Sequence, residues 1–327
     1  MEYRQLGRDG PFVSTIGFGT WPIGGKGYGI ANDTDVKCAV DRAIDLGITL
    51  FDTAPAYGGG YAEEFLGRVL HGRRARVVLL TKGGLTIDSA GRVAGRDSRP
   101  AALVAGLEGS LRRLRTDYAD VYLIHWPDRQ TPWEEAMNGL NQILASGMAR
   151  RVGVSNFPSA ELERCRALAP LVANQVACSL FDRRWEMAMF PTARALGVGI
   201  LAYGPLAHGL LGGHYQADHR FAPSDWRAEG RTLASPEFLV GENFGHNLAL
   251  VERIRAIAKA GGHTVAQVAL AWVLRDPLVA AAITSPRRID QVEESAAASS
   301  IKLSVEEAAA LEKIAAEVAG SVAFLPH

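Results

Sequence analysis

The sequence predicts an α/β fold: a (β/α)8 TIM barrel with an N-terminal β-hairpin closing the bottom of the barrel. Three observations predict it. Short, nearly continuous apolar runs recur along the 327 residues, as parallel strands covered on both faces require. Each is followed by a longer stretch whose apolar residues return at helical spacing. Eight such runs are present, the number that closes a barrel, where a doubly wound sheet is the competing arrangement. Barrels of about 250 residues and more fold as one unit, so residues 1–327 are expected to form a single domain.

Taken in order, the chain opens with "YRQLGRDGPFVSTIG", two short strands around "GRDG" that read as a hairpin. The barrel runs are "TIGFG" (15–19), "ITLFD" (48–52), "VVLLT" (77–81), "DVYLIH" (120–125), "RVGVS" (151–155), "VANQV" (172–176), "GILAYG" (199–204) and "VAAAIT" (279–284). Between them, "DTDVKCAVDRAIDLG" (33–47) offers an N-cap Asp or Thr, an apolar stripe through Val36, Ala39, Val40, Ala43 and Ile44, and a terminal Gly. "AALVAGLEGSLRRL" (101–114) follows Pro100, and "TPWEEAMNGLNQILASG" (131–147) opens on Thr131 and Pro132. "LALVERIRAIAKAGG" (248–262) and "TVAQVALAWVLRD" (264–276) read as two more helices, and Ser304 with Glu307 forms a capping box ahead of a last one over 304–319. From Gly204 to about Asn247 no strand is evident and Gly, His and Arg are frequent, the mark of a functional loop or lid. No repeat, low-complexity tract or linker marks a second domain.

Acidic and basic residues number 35 each. That balance argues against an electrostatic nucleic-acid or membrane-surface partner. The three cysteines, Cys38, Cys165 and Cys178, are far apart and form no C-x-x-C pair, so neither a disulfide framework nor a zinc ribbon is expected. With no signal peptide and no apolar run of about 18 residues, a cytoplasmic protein is the expectation.

In a barrel of this type the chemistry sits where strands end, at the C-terminal face. Here those ends are polar: Asp52, Lys82, His125, Ser155 with Asn156, Asn174 with Gln175, and Tyr203. Singly, each has an ordinary explanation, such as an N-cap aspartate, a solvated lysine or a core histidine. Together they line one mouth, and Tyr57 follows Asp52 in a Pro- and Gly-rich loop. A phenol with pKa ~10 is a poor acid at neutral pH. A nearby lysine ammonium favours phenolate, so Lys82 is expected to lower the Tyr57 pKa, with Asp52 keeping the lysine charged. A neutral imidazole at His125 can polarise a carbonyl oxygen. The set suits protonation of an alkoxide as hydride arrives at carbon. It holds no nucleophile–base pair and no metal-ligand cluster, so the hydride must come from a cofactor.

"GFGTW", "FDTAPAYGGGYAEEFLG", "TKGG", "DVYLIHWPD", "VGVSNF", "NQV…SLFDR", "AYGPLAHGLLGG" and "RRIDQVEES" resemble, in order and over about residues 3 to 315, the aldo-keto reductase family. The resemblance implies a catalytic tetrad of Asp52, Tyr57, Lys82 and His125, with Tyr57 as general acid. It also implies NAD(P)H bound across the barrel mouth without a Rossmann fingerprint. Ser155, Asn156 and Gln175 then hold the nicotinamide carboxamide and Tyr203 stacks on the ring. "GPLAHGLLGG" (204–213), with Gly204, Pro205, Leu206, Gly209 and Leu211, wraps the pyrophosphate, and Thr20, Trp21 and Asp52 are further cofactor-binding residues.

At the adenosine end stand Ser285, Arg287, Gln291, Glu294 and Ser295, with Ser285 replacing the family's usual Gly and Ser295 its usual Asn. Arg287 and Arg288 suit a 2′-phosphate, so NADPH is expected ahead of NADH. The substrate, a small-molecule aldehyde or ketone, would lie against Trp21, Tyr57, His125 and Trp126. Phe221, Trp226 and Phe244 of the long loop are further candidates, and the tail "GSVAFLPH" is too short to add much. Cys178 stands where relatives carry an aromatic residue. A monomer or weak homo-oligomer with neither nucleic-acid nor membrane partner is expected. Two alternatives remain open on sequence: a cofactor-binding regulatory or redox-sensor protein on the same scaffold, and another barrel enzyme such as an isomerase or hydrolase.

Overall fold

In the computed structural model, which describes residues 1–24, 32–223, 225–228 and 237–320, the eight apolar runs are strands. An antiparallel hairpin, β1 (Tyr3–Gln5) and β2 (Phe12–Ser14), precedes them. Then follow β3 (Ile16–Gly19), α1 (Asp33–Asp45), β4 (Leu50–Asp52), α2 (Tyr61–Val69) and β5 (Val78–Gly83). A second hairpin, β6 (Leu85–Ile87) and β7 (Val93–Arg96), leads to α3 (Pro100–Leu114) and β8 (Ala119–Ile124). The chain continues through α4 (Trp133–Ser146), β9 (Ala149–Ser155), α5 (Ser159–Leu168), β10 (Leu171–Ala177), α6 (Arg184–Leu196) and β11 (Gly199–Tyr203). It ends with α7 (Gly241–Ala260), α8 (Val265–Val273), β12 (Val279–Thr284), α9 (Ile289–Ala297) and α10 (Val305–Ala315). Strands β3, β4, β5, β8, β9, β10, β11 and β12 pair in parallel in that order, and β12 returns to β3, closing the barrel. Among the described residues no helix is long and apolar enough to cross a membrane.

Alternation along the strands decides which side chains enter the barrel. Leu50, Leu80, Val121, Leu123, Ala173, Leu201, Ala281 and Ile283 form one buried cluster inside it. Their neighbours Phe51, Leu79, Tyr122, Val154, Val176, Ile200 and Ala202 belong to the larger cluster packed against the helices. Carried two residues further, the inward parity takes Leu50 to Asp52, Leu80 to Lys82, Leu123 to His125, Ala173 to Gln175 and Leu201 to Tyr203. The packing pattern therefore aims the polar strand ends into the mouth. Asn174 has the opposite parity, and its amide donates to the Phe157 carbonyl at 2.8 Å on the helix side.

The N-terminal hairpin closes the other end, as expected. Leu6 and Val13 are fully buried and join the interior cluster. Gly7 lets the hairpin sit this close: its φ is +66°, and a Cβ there would stand 2.4 Å from the Val172 carbonyl oxygen. The exposed side of the same hairpin carries Phe12, at 67% exposure.

Helix α10 begins on the expected capping box, Ser304 and Glu307 exchanging bonds with each other's backbone. Helix α7 starts at Gly241, so the end of the segment expected as open loop is helical. Three helices carry weaker sequence signals. α2 follows Gly60, which offers no capping side chain; α5 buries only Leu162 and Cys165; α6 contains Pro191. The tail beyond residue 320 lies outside the described residues. The three cysteines are free, Cys165 and Cys178 buried and Cys38 exposed. Nothing in the structure explains Cys178 at its position beyond its burial in the core.

Because Leu6 fills the barrel floor, Leu6→Ala should cost about 2–5 kcal/mol of stability. Phe12→Ala, on the wet face of the same hairpin, should stay within about 0.5 kcal/mol. Urea unfolding of the two variants checks this, and equal losses would mean that the hairpin docks otherwise.

Candidate active site

The β4 and β5 ends bring Asp52 and Lys82 together in the barrel mouth. Lys82 is fully buried and Asp52 is 4% exposed. The Lys82 Nζ lies 2.9 and 2.8 Å from the two Asp52 carboxylate oxygens and 3.0 Å from the Thr53 carbonyl. Its remaining partner is the Tyr57 hydroxyl, also at 3.0 Å. All three ammonium protons are thus directed, which is what a buried lysine needs. Asp52 Oδ2 takes a further bond from Gln175 Nε2 at 2.7 Å.

Tyr57 is held by its own turn. Its backbone N–H donates to Ala54 and its carbonyl accepts from Ala62. Gly58, Gly59 and Gly60 follow with φ of 67°, 65° and 99°, conformations that only glycine adopts without strain. These left-handed steps turn the chain straight into α2. Beneath the turn, Glu63 of α2 is fully buried and accepts from Thr81 Oγ1 at 2.6 Å and from Arg113 Nε at 2.7 Å. It ties α2 to the strand that carries Lys82. Sequence reasoning missed this residue, although the signal was present: Glu63 lies at helical spacing with the buried Leu66, Gly67 and Leu70, a carboxylate on an apolar stripe.

The His125 ring stands edge-on to Tyr57, centroids 5.9 Å apart and planes at 80°. Burial, then the Lys82 ammonium, push its pKa well below 6.5, so the imidazole is neutral. Burial also lowers the Lys82 pKa from 10.5, opposed by Asp52. Tyr57 corrects an expectation. Its pKa lies well above 10, raised by burial and by the Asp52 carboxylate. Asp52 neutralises the lysine beside it, so the phenol does not experience an isolated cation and keeps its proton.

One cavity of about 770 Å³ opens over these residues. At one end Trp21, Tyr57, His125 and Trp126 line it, with Asp52 and Gln175 at its floor. Ser155, Asn156 and Tyr203 follow, joined by bonds: Asn156 Nδ2 donates to Ser155 Oγ at 3.0 Å and Tyr203 Oη donates to Asn156 Oδ1 at 3.0 Å. Gly204, Pro205, Leu206 and Gly209 line the next stretch, and Ser285, Arg287, Gln291, Glu294 and Ser295 the far end.

Three expected contacts fall elsewhere. Thr20 is fully buried and turns its hydroxyl to the Asp52 carbonyl, so it fixes a strand end and does not line the cavity. Leu211 is fully buried in the core below a kink where His208 and Gly209 have φ of 55° and 103°. Arg288 pairs with Asp290 at 2.8 Å, is 59% exposed, and is outside the lining that includes Arg287.

The long loop divides likewise. Trp226 lines the cavity and stacks on Trp21, centroids 5.5 Å apart, with His208 edge-on to Trp226 at 5.0 Å. Arg227 locks that arrangement through Asp225 at 2.6 Å and Tyr215 at 2.8 Å. Phe221 and Phe244 pack on each other, centroids 6.2 Å apart, and do not line the cavity. The hairpin residues Leu85 and Val93 line it with no signal in the sequence, while His208 lines it from within the segment expected to wrap the pyrophosphate.

A family model for the aldo/keto reductase family matches residues 15–316. The chain belongs to the aldo-keto reductase family. It is 36% identical to the aldo-keto reductase YhdN of Bacillus subtilis (strain 168) over 299 residues, 90% of this chain and 87% of that one. It is 37% identical to the uncharacterized oxidoreductase YrpG of the same organism over 325 residues, covering 94% and 93% of the two chains. Among solved structures, the glycerol dehydrogenase AKR11B4 from Gluconobacter oxydans superposes with a TM-score of 0.86 at 34% identity, covering 98% and 97% of the two chains. This aldo-keto reductase is accordingly an oxidoreductase. The family generally uses nicotinamide cofactors and acts on small-molecule carbonyl compounds.

The depressed His125 pKa has a measurable sign. Between the native value and 6.5 the unfolded chain binds more protons than the folded one, so stability rises with pH there and falls as the solution is acidified. The stability advantage of the wild type over His125→Asn should therefore shrink from about pH 8 to about pH 5. Urea unfolding across that range reads it, and parallel curves would mean that His125 titrates normally.

Proposed function

We propose that this aldo-keto reductase is an NADPH-dependent reductase of aldehydes and ketones, acting in reverse on the CH–OH group of alcohols, with Tyr57 as general acid. The observation that carries the reading is the Lys82 ammonium bonded at once to Asp52 and Tyr57, beneath a cavity wall that also holds a neutral His125.

The residues fit a nicotinamide nucleotide. Ser155, Asn156 and Gln175 form a hydroxyl and amide donor–acceptor set matched to a carboxamide, beside the flat face of Tyr203. Gly204, Ala207, His208 and Gly209 all have positive φ, the conformations from which anion-binding concavities are built. Arg287 is the cation at the adenosine end that favours a 2′-phosphate. When bound, the cofactor supplies hydride to the carbonyl carbon.

The side chains handle the proton. Tyr57 holds it at Oη in the resting site because burial and Asp52 keep the phenol neutral. As negative charge grows on the substrate oxygen, Oη gives up that proton. Lys82, already 3.0 Å away, stabilises the phenolate left behind. Solvent entering the open cavity then restores the proton. His125 orients the carbonyl by a hydrogen bond and takes no proton. Reversed, the same atoms oxidise an alcohol, the direction named for the Gluconobacter oxydans glycerol dehydrogenase.

Tyr57→Phe should lower kcat and kcat/KM together by about 10²–10⁴ while leaving NADPH affinity within about threefold. In the same assays Arg287→Ala should weaken NADPH about tenfold, the loss of one charge-assisted bond from a half-buried guanidinium, and spare NADH. Reduction of an unactivated aldehyde by Tyr57→Phe at the wild-type rate would remove the tyrosine from the acid role. Equal loss of both cofactors in Arg287→Ala would remove the case for NADPH.

A further inference from the structure

Resting on the carbonyl-reductase reading, we propose that the hairpin β6–β7 is the specificity element of the site and selects carbonyl compounds carrying an apolar chain or ring beyond the carbonyl. The hairpin leaves the barrel directly after Lys82 and Gly83, and two of its side chains, Leu85 and Val93, line the cavity with Tyr57, His125 and Trp126.

A bulge sets this aim. Leu85 pairs with Arg96 and Thr86 with Gly95, but Ile87 pairs with Val93, leaving Ala94 as the extra residue. Residues directly opposite share a face, as do residues two apart on one strand. Leu85, Ile87, Val93 and Arg96 consequently share one face, although Val93 and Arg96 would oppose each other on a regular strand. Bulges beside active sites commonly re-aim a side chain in this way.

The hairpin is braced at both ends. At its base Arg96 Nη1 donates to the Pro127 carbonyl at 2.7 Å, and its guanidinium lies 5.7 Å from the Trp126 ring centroid. The Ser98 N–H, just beyond, donates to the buried Asp128 at 2.9 Å. At its tip Asp88 Oδ1 accepts from the Ala90 and Arg92 N–H groups at 2.9 and 2.8 Å. The tip rests on the glycine run after Tyr57: a Cβ on Gly59 would stand 3.0 Å from Gly91 Cα. The hairpin thus spans from the Trp126 wall to the Tyr57 turn as a fixed rim.

What that rim offers is apolar. Val93 is 54% exposed, and covering such surface is favourable for an apolar ligand. Among the described residues the hairpin puts no polar side chain into the cavity, so a polyol or sugar gains nothing from it.

The test measures kcat/KM with NADPH along straight-chain aldehydes from propanal to octanal, for the wild type and Val93→Asp. The wild-type value should climb about twofold per added methylene, about half of full burial. Val93→Asp should cut the octanal-to-propanal ratio about tenfold (from the same transfer scale). A flat wild-type series, or an unchanged ratio in the variant, would overturn the proposal. A second arm measures binding alone, titrating 1-octanol and glycerol against tryptophan fluorescence. Octanol must bind more tightly, and Val93→Asp must erase that preference. If no aldehyde is turned over but the preference holds, the reductase reading fails and the hairpin assignment stands; without the preference, the hairpin assignment fails.

Discussion

The Lys82–Asp52 pair is the constraint on which the rest of the site depends. An ammonium with no solvent exposure is tolerable only if its protons are all directed, because the loss of hydration costs several kcal/mol per ion. Asp52, the Thr53 carbonyl and Tyr57 satisfy that demand, and each is placed by the backbone from Asp52 onward. Satisfying the lysine therefore fixes the phenol. Burial of the phenol, and then the Asp52 carboxylate, raise the Tyr57 pKa, so the tyrosine beside the pair stays protonated. In the proposed mechanism the same ammonium acts only after the proton has gone, when a phenolate needs a partner. Holding the proposed acid ready and stabilising its conjugate base would then be two consequences of one geometry.

Barrel packing delivers the groups to that geometry. Inward parity is enforced by leucine, valine and alanine filling the interior, and the polar residues that follow inherit it. A one-residue register slip would turn Asp52 or Lys82 toward the helices. Leu6 and Val13 seal the floor, and the cavity lies at the face where the polar ends gather. Glu63 and Arg113 brace the turn that carries Tyr57 from the opposite side.

Much of this was legible because it is written in periodicity. Eight apolar runs, the leading hairpin and the polar residues at inward parity are local signals that tertiary packing reinforces. What stayed hidden depends on contacts across the fold. The hairpin over residues 85–96 is too short and too rich in Gly to announce itself, and its aim rests on a bulge visible only in the pairing. Thr20 and Leu211 fall within motifs that reach the cavity, yet one spends its hydroxyl on a carbonyl and the other packs below a kink. Arg287 and Arg288 are adjacent in sequence, but Arg288 pairs with Asp290 outside the cavity lining that includes Arg287. The Tyr57 shift runs against the sequence expectation because full burial of the phenol, which no local pattern reports, raises its pKa, and Asp52 adds to it.

The ionisation of Tyr57 tests the central claim most directly. Tyrosine labelled with carbon-13 at the hydroxyl-bearing carbon reports phenol and phenolate as distinct NMR shifts, and Tyr57→Phe assigns the signal. The account predicts that the Tyr57 resonance of the cofactor-free protein remains that of a phenol beyond the ordinary tyrosine value of about 10. A phenolate signal appearing clearly below that value would mean that Lys82 acts as an unpaired cation in the resting site, contrary to the neutral pair on which the mechanism rests.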